Sequence, residues 1–362
     1  MIPLTVEVTR RKSPSRWGMV IVPLLTVVLA VASAAVMFSA YGASPGAVLF
    51  GFFVEPLSSA YNLGEVAIKA GPLILIAQGL AIGFRAKVWN VGAEGQLIVG
   101  AVAATVVPVY LPDSDSALLL PAMIVLAAAA GMLWAAIAAL LRTRFNASEI
   151  IVTLMLTEIA RQLLYYAVMG PLRDPGGFSF PQSVPFQDAA LFPTFGETRA
   201  NVSILICVAA TVSAWIFVTR SFAGFRLLIG GVSPDAARYA GFSQTQAVWV
   251  SLLLGGAAAG LAGVGEIAGP LGKLQPILTP GYGYAAIIVA FLGALNPIAI
   301  VLAGLFMAVI YVGGDNALAT GQIPASAPAV LQSLLLVYYL ACAFFVNNDI
   351  RVGFVRRVGA QA

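Results

Sequence analysis

Residues 118–141 form the sequence LLLPAMIVLAAAAGMLWAAIAALL, which contains no charged side chain over 24 residues. A helix needs about 20 apolar residues to cross the hydrocarbon core of a bilayer. Arg142 and Arg144 follow the run directly, and Lys and Arg typically mark the cytoplasmic ends of spans. This stretch therefore predicts a membrane-spanning helix that ends at the basic pair.

Nine further apolar runs flank this one and predict nine more helices in the bilayer. They are 17–40, 66–84, 96–111, 148–169, 202–219, 245–264, 281–294, 297–312 and 326–346. The run 281–294 is short for a full span, so a re-entrant or broken helix stays open there. The run 17–40 exceeds the roughly 7–15 apolar residues of a signal peptide, which favours an uncleaved span over a cleaved leader.

The composition of the whole chain leads to the same class of protein. Of its 362 residues, 60% are hydrophobic and only 9% are charged, whereas a soluble domain carries about 25% charged residues. The chain has no His and only 2 Cys, so we expect neither a metal site nor a His-dependent catalytic set. The predicted fold class is an all-α polytopic membrane bundle of about ten transmembrane helices, and we do not expect an enzyme.

The distribution of Lys and Arg predicts how the chain is oriented. With a cytoplasmic N-terminus, 14 of the 19 basic residues fall in cytoplasmic segments, in agreement with the positive-inside rule. They are Arg10, Arg11, Lys12, Arg16, Arg85, Lys87, Arg142, Arg144, Arg220, Arg226, Arg238, Arg351, Arg356 and Arg357. We therefore expect a cytoplasmic tail at 1–16, a transmembrane domain at 17–346 and a second cytoplasmic tail at 347–362. The net charge of +4 then reflects topology, and no nucleic-acid partner is expected.

Charged residues inside apolar runs are candidates for function, because a charge at the bilayer centre costs at least about 2.5–3.5 kcal/mol. Glu158 and Arg161 lie three residues apart on one helix face and can pair. They form either a self-neutralised structural pair or the lining of a polar translocation path. Glu149 is expected to be solvated near the inner boundary of its span. Glu266 is expected to be interfacial at the outer end of another span.

Segments between the spans are informative as well. At 84–96, the sequence FRAKVWNVGAEGQ places polar side chains among glycines. This is either a solvated cytoplasmic loop or a helix break, and a break at membrane depth must be buried or line a cavity. The Pro-rich segment 170–201 is too polar to span and is predicted to be either an extracytoplasmic cap or a docking loop.

The longest internal cytoplasmic segment is 219–243. In it Ser233, Pro234 and Asp235 are the residue types that begin helices, and Gly241 is the type that ends them. A short helix is therefore predicted between them. It is either part of an amphipathic connector or a surface helix that docks into another protein.

These polar segments resemble one family. The sequence NVGAEGQ at 90–96 resembles the N-[IV]-G-x-E-G-[QM] signature of permease subunits of bacterial ABC importers. The group is the simple-sugar and nucleoside branch of the branched-chain amino acid/ribose-type permeases. The sequence GFRLLIGGVSPDAARYAG at 224–241 is similar to the group's cytoplasmic coupling segment, and 146–157 and 280–297 are also similar. The chain departs from the usual pattern at Val91, Ser233 and Thr157, and the last of these leaves any polar role at its position open.

The resemblance implies an inner-membrane permease with a weak internal inverted repeat and a pathway near the midplane. It implies no cofactor on this chain, since no P-loop is present and ATP would bind a separate cytoplasmic ATPase. Further implied partners are a second permease, commonly a different and shorter chain, and an extracytoplasmic substrate-binding protein or lipoprotein; lipid surrounds the spans. The substrate would be a nucleoside or a simple sugar. The alternative is an ion-coupled secondary transporter of small polar solutes, which would work without an ATPase.

Two sets of residues follow from the resemblance and the polar pattern. The residues expected to couple to the ATPase are Gly224, Phe225, Arg226, Ser233, Pro234, Asp235, Ala236, Ala237, Arg238, Tyr239 and Gly241. The residues expected to line the translocation pathway are Asn90, Glu94, Gln96, Glu158, Arg161 and Asn296.

Overall fold

A computed structural model describes residues 4–10, 18–42, 44–178, 180–196, 198–319, 324 and 326–354. In these ranges the chain forms thirteen α-helices and two strands. The first seven helices are α1 (Gly18–Ala40), α2 (Pro45–Phe53), α3 (Ala60–Arg85), α4 (Ala93–Tyr110), α5 (Leu119–Phe145), α6 (Glu149–Met169) and α7 (Ser203–Arg220). The other six are α8 (Phe222–Val232), α9 (Pro234–Tyr239), α10 (Gln244–Glu266), α11 (Tyr282–Leu292), α12 (Pro297–Ala319) and α13 (Ala327–Asn347).

Every predicted span coincides with a helix, and the predicted all-α polytopic bundle is confirmed. Within the described residues, nine helices are long and apolar enough to cross a membrane; they are α1, α3, α4, α5, α6, α7, α10, α12 and α13. The tenth predicted span, 281–294, corresponds to α11, which has 11 residues. At 1.5 Å per residue α11 is about 16 Å long, roughly half of the ~30 Å hydrocarbon core. The internal repeat stays a prediction.

Helix α10 is central to the larger of two compact units, residues 50–321, where it packs against α3, α4 and α5. Small residues allow this approach. A Cβ added at Gly131 of α5 would lie 2.2 Å from the carbonyl oxygen of Gly256, and one at Gly260 would lie 2.1 Å from that of Ala127. Close backbone contact of this kind is the usual way in which membrane helices associate.

The second unit comprises 1–49 and 322–362. Within it α1 packs against α13, and the hydroxyls of Ser33 and Tyr338 are 2.6 Å apart. Strand β1 (Leu4–Arg10) pairs antiparallel with β2 (Asn348–Phe354), so that both predicted tails contain a strand that the sequence did not predict. Arg11, Lys12, Arg16, Arg356 and Arg357 lie outside the described residues.

Candidate translocation and coupling sites

The break between α3 and α4 is a buried polar turn. Asn90 Nδ2 donates a hydrogen bond to Gln96 Oε1 (2.9 Å), and Gln96 Nε2 donates one to Asn90 Oδ1 (3.2 Å). Asn90 Oδ1 also accepts from the backbone N–H of Gly92 at 3.0 Å. Both amide side chains are buried. The solvated-loop alternative is therefore wrong for residues 90–96, whose polar groups are satisfied internally as buried membrane segments must be, whereas Lys87 before them is exposed.

Two glycines bring this turn against α6. A Cβ at Gly92 would lie 2.4 Å from the carbonyl oxygen of Thr153, and one at Gly95 would lie 2.7 Å from Cα of Thr157. Thr153 Oγ1 also accepts a hydrogen bond from the N–H of Val91 at 3.2 Å. No side chain larger than hydrogen fits at either glycine, so the sequence of the turn is fixed by close backbone approach.

Glu94 connects the first turn of α4 to the beginning of α11. Its carboxylate accepts hydrogen bonds from Thr279 Oγ1 at 2.5 Å and from the backbone N–H of Gly283 at 2.6 Å. A Cβ at Gly283 would lie 2.2 Å from the backbone nitrogen of Glu94, so the two helix ends meet directly. A carboxylate at a helix N-terminus satisfies free N–H groups and opposes the positive end of the helix dipole. In this conformation Glu94 is buried and ties two helices together.

The segment that leads into α11 is held at its other end by the Pro-rich loop 170–201. Backbone hydrogen bonds run from Ser183 to Leu274 (2.9 Å), from Phe186 to Gly272 (2.8 Å) and from Phe192 to Ala268 (2.8 Å). From there residues 275–281 continue inward to Glu94. Because α11 is only half a span long and finishes beside Arg85 at the far end of the unit, residues 275–292 form a broken-helix crossing, one of the two alternatives left open for the run 281–294.

Glu158 and Arg161 form the predicted ion pair, with Arg161 Nη1 3.1 Å from Glu158 Oε1. They are the tenth and thirteenth of the 21 residues of α6, so the pair lies at mid-span. Their side chains are 52% and 42% exposed in this chain, and they are not among the residues of the buried turn. Two charges at this depth are too costly to face lipid, so the face of α6 that carries them requires water or protein against it.

Asn296 lies apart from the other predicted pathway residues. It is exposed, and its Oδ1 accepts from the N–H of Ile298 at 3.0 Å, which caps the first turn of α12. The adjacent carbonyl of Leu295 accepts from Arg85 Nη2 at 2.7 Å. Asn296 is therefore a helix cap at the end where α3 and α11 finish.

The predicted coupling segment consists of two helices. Helix α8 is seated by Gly224 and Gly231, where a Cβ would lie 2.1 Å from the carbonyl oxygen of Phe217 and 2.0 Å from that of Arg85, respectively. Arg226 of α8 donates to Gln246 Oε1 at 2.8 Å and lies over the ring of Phe242 at 5.3 Å. The segment is thus fastened to the ends of α3 and α7 and to the first turn of α10.

Helix α9 begins at Pro234 and ends before Gly241, whose φ is +76°, as predicted. The predicted hydroxyl cap does not form, because Ser233 makes no side-chain hydrogen bond to the first turn. Arg238 is exposed, and Tyr239 is 96% exposed. A large aromatic side chain that extends fully from a short helix is suited to contact with another protein.

Two carboxylates lie elsewhere than the sequence predicted. Glu149 is not solvated; it is buried and pairs with Arg142, whose Nε lies 3.2 Å from Glu149 Oε2, because α6 begins directly beside the end of α5. Glu266 is not interfacial but buried, because α10 continues beyond residue 264 into a π-helical turn at Ile267–Leu271.

Thr153, Thr279 and Gly283 belong to the site but were not predicted. Thr279 and Gly283 contact Glu94 across 185 and 189 residues of sequence, which no local pattern records. The signals near them were the short run at 281–294, preceded by Pro280, and the family resemblance of 146–157 and 280–297.

Comparison with known proteins identifies the family of the chain. Residues 62–340 match the family described as branched-chain amino acid transport system / permease component. The chain is similar to the glucose ABC transporter permease protein TsgB13 of Haloferax volcanii, at 36% identity over 96% of this chain and 94% of the relative. It is similar to the guanosine permease NupP of Bacillus subtilis (30%; 89% and 93%) and to the nucleoside permease NupB of Lactococcus lactis (26%; 91% and 92%).

A second permease protein from each of these three organisms also matches, at 22–26% identity over 67–81% of this chain. No solved structure matches the chain. The family match covers more than half of the sequence and includes the buried turn, the broken-helix crossing and both helices of the coupling segment. The chain belongs to the branched-chain amino acid transport system permease component family.

Proposed function

We propose that this chain is the permease subunit of an ABC importer in a bacterial cytoplasmic membrane, with both termini in the cytoplasm. A separate ATPase subunit supplies the energy. Support comes from the basic residues that gather at one end of the unit 50–321, among them Arg85, Arg142 and Arg226. Basic residues favour the cytoplasmic side, so we name this the cytoplasmic end.

The observation that carries the proposal is the construction of α8 and α9. Helix α8 is wedged against α3 and α7 without space for a side chain at Gly224 or Gly231. Helix α9 follows directly and exposes Arg238 and Tyr239. An ATPase that contacts α9 and moves it therefore also moves α8, because α8 is close-packed against α3 and α7 and close-packed elements shift as units.

A series of direct contacts leads from α8 through the unit 50–321. Gly231 touches the carbonyl of Arg85, α3 continues into the buried turn, and Glu94 in that turn holds the beginning of α11. The broken-helix crossing then reaches the loop 170–201. We propose that closure of the ATPase around ATP shifts α8 and, through Glu94, reorients α11 between outward-facing and inward-facing states.

The pathway lies, in this proposal, between this chain and a second, different permease. Paired matches in three organisms, one more similar to this chain and one less, support a heterodimer. The exposed Glu158–Arg161 pair gives the middle of α6 a charged face, which is too costly to expose to lipid. We therefore place α6 at the subunit interface, with the pair beside the pathway.

The substrate is, in this proposal, a nucleoside or a simple sugar, the solutes named for the relatives. A substrate-binding protein or lipoprotein delivers it to the loop 170–201. Phe178 on that loop is 94% exposed and Phe180 is also exposed, while Asp174 fixes the turn that presents them by accepting from the N–H of Gly176 at 2.8 Å. Exposed aromatic side chains on a rigid turn suit a protein contact.

The experiment that tests the proposal is purification of the tagged chain with its bound subunits. The complex, reconstituted in liposomes, is assayed for ATP-dependent uptake of guanosine, adenosine, uridine, ribose, glucose and galactose. Arg238→Glu and Gly241→Trp are expected to lower uptake at least about tenfold while ATP hydrolysis continues. Arg144→Glu, at the exposed end of α5, is the matched control and is expected to transport normally.

Two results would overturn the proposal. Uptake driven by an ion gradient without any ATPase would favour the secondary carrier instead. Normal transport by both Arg238→Glu and Gly241→Trp would remove α9 from the coupling mechanism.

A further inference from the structure

A cavity of about 380 Å³ opens at the cytoplasmic end of the unit 50–321. Its walls come from the turn after α3, the junction of α5 and α6, both helices of the coupling segment and the beginning of α10. The Arg142–Glu149 and Arg226–Gln246 contacts line part of this space, and α9, the proposed ATPase contact, forms one wall of it.

The charged residues of the cavity are mostly basic: Lys87, Arg142, Arg226 and Arg238 line it, with Glu149 as the single carboxylate. Glu149 is taken by Arg142 at 3.2 Å, and Arg226 is hydrogen-bonded to the neutral amide of Gln246. Lys87 and Arg238 have no ion-pair partner within the described residues. The cavity therefore presents an excess of positive charge with two cations free to bind an anion.

The wall formed by α8 indicates where this cavity lies relative to the bilayer. Leu227 of α8 is buried against α3 and α7, but Phe222, Phe225 and Val232 are exposed at helical spacing. The rings of Phe222 and Phe225 contact Phe242 on one side and stay exposed on the other. A short helix with an exposed apolar stripe beside basic residues typically lies in the boundary between headgroups and acyl chains. The cavity next to it is then at the depth of lipid phosphates.

We propose that this cavity binds the phosphate of an anionic phospholipid headgroup from the cytoplasmic leaflet. Lys87 and Arg238 bind the phosphate, and the exposed stripe of α8 contacts the acyl chains. Basic pockets between helices on the cytoplasmic side bind anionic headgroups in this way. Because Lys87 lies in the turn after α3 and Arg238 on α9, a bound lipid connects the two parts that transmit motion. The inference does not depend on which solute is transported.

Native mass spectrometry of the full-length chain in detergent tests the proposal, with phosphatidylglycerol, phosphatidylcholine and inorganic phosphate as probes. We expect phosphatidylglycerol to bind and phosphatidylcholine to bind far more weakly. Lys87→Gln and Arg238→Gln should each weaken phosphatidylglycerol binding about fivefold, the effect of one basic residue near an anionic lipid surface. Arg144→Gln and Arg220→Gln, basic residues that do not line the cavity, should bind normally, and Lys87→Arg should retain binding.

Three results would overturn the assignment. Equal binding by the Lys87→Gln, Arg238→Gln and control variants would place the lipid elsewhere. Saturation of the same site by inorganic phosphate at equal concentration would assign it to a free anion. Complete displacement of phosphatidylglycerol by the ATPase subunit would make the cavity part of the ATPase contact.

Discussion

At the scale of single residues, Glu94 joins two helix ends that are distant in sequence. Its two oxygens accept hydrogen bonds from different partners, Thr279 and Gly283, on a segment that is distant in sequence. Its own backbone touches Gly283 so closely that no side chain fits between them. A buried donor that loses its acceptor costs about 1–3 kcal/mol of folding free energy. Removing the Glu94 carboxylate should therefore lower the stability of the protein measurably.

We therefore predict a graded effect from three substitutions. Glu94→Ala should lower the midpoint of thermal unfolding most, since it leaves both donors unsatisfied. Glu94→Gln keeps one carbonyl oxygen and should have an intermediate effect, and Thr279→Val, which removes one hydrogen bond, should have the smallest. The midpoints of the purified variants, measured by tryptophan fluorescence, check the order. Equal midpoints for wild type and Glu94→Ala would show that the Glu94 carboxylate does not contribute to stability.

At the scale of helices, α8 provides a direct comparison between neighbouring glycines. A Cβ at Gly231 would lie 2.0 Å from the carbonyl oxygen of Arg85, whereas one at Gly230 has no atom within 4 Å. Both positions lie in the last turn of α8, where Ala is also more favourable than Gly, by less than the roughly 1 kcal/mol of a helix interior. The two substitutions therefore share the gain in helix propensity and differ in whether α8 is pushed away from α3.

Gly230→Ala should leave ATP-dependent uptake unchanged, and it should leave the midpoint of thermal unfolding unchanged or slightly raised. Gly231→Ala should displace α8 and lower uptake per ATP hydrolysed several-fold, because α8 then no longer contacts α3 closely. The ratio of uptake to hydrolysis in proteoliposomes measures this. A normal ratio in Gly231→Ala would mean that the contact between α8 and α3 does not transmit motion.

The helices themselves were largely predictable, because an apolar run of about 20 residues is a local property and the bilayer accepts little else. The contacts between them were not. The sequence predicted the break at 84–96 but left its burial open, since Asn90 and Gln96 are equally suited to water. It placed Glu149 and Glu266 at boundaries because nothing local reveals that Arg142 approaches the first of them or that α10 continues beyond the second.

At the scale of the whole molecule, the exposed surface of this chain includes a polar patch at the middle of α6. Glu158 and Arg161 neutralise each other at 3.1 Å, yet both side chains are about half exposed at mid-span. Gln162, one turn from Glu158, is exposed on the same side of α6. A polar face at the centre of a membrane helix is expected to line an aqueous path or a subunit interface.

Photo-crosslinking decides whether the second permease covers this face. A photoreactive residue at position 162 should form a covalent product with the second permease in the assembled transporter, whereas one at Val208, exposed on α7, serves as the comparison. Arg161→Gln should lower uptake at least about tenfold, because it leaves Glu158 without its partner beside the path. The exchange Glu158→Arg with Arg161→Glu should restore uptake by restoring the pair. If position 162 crosslinks only to lipid and Arg161→Gln assembles and transports normally, the face of α6 is not the subunit interface.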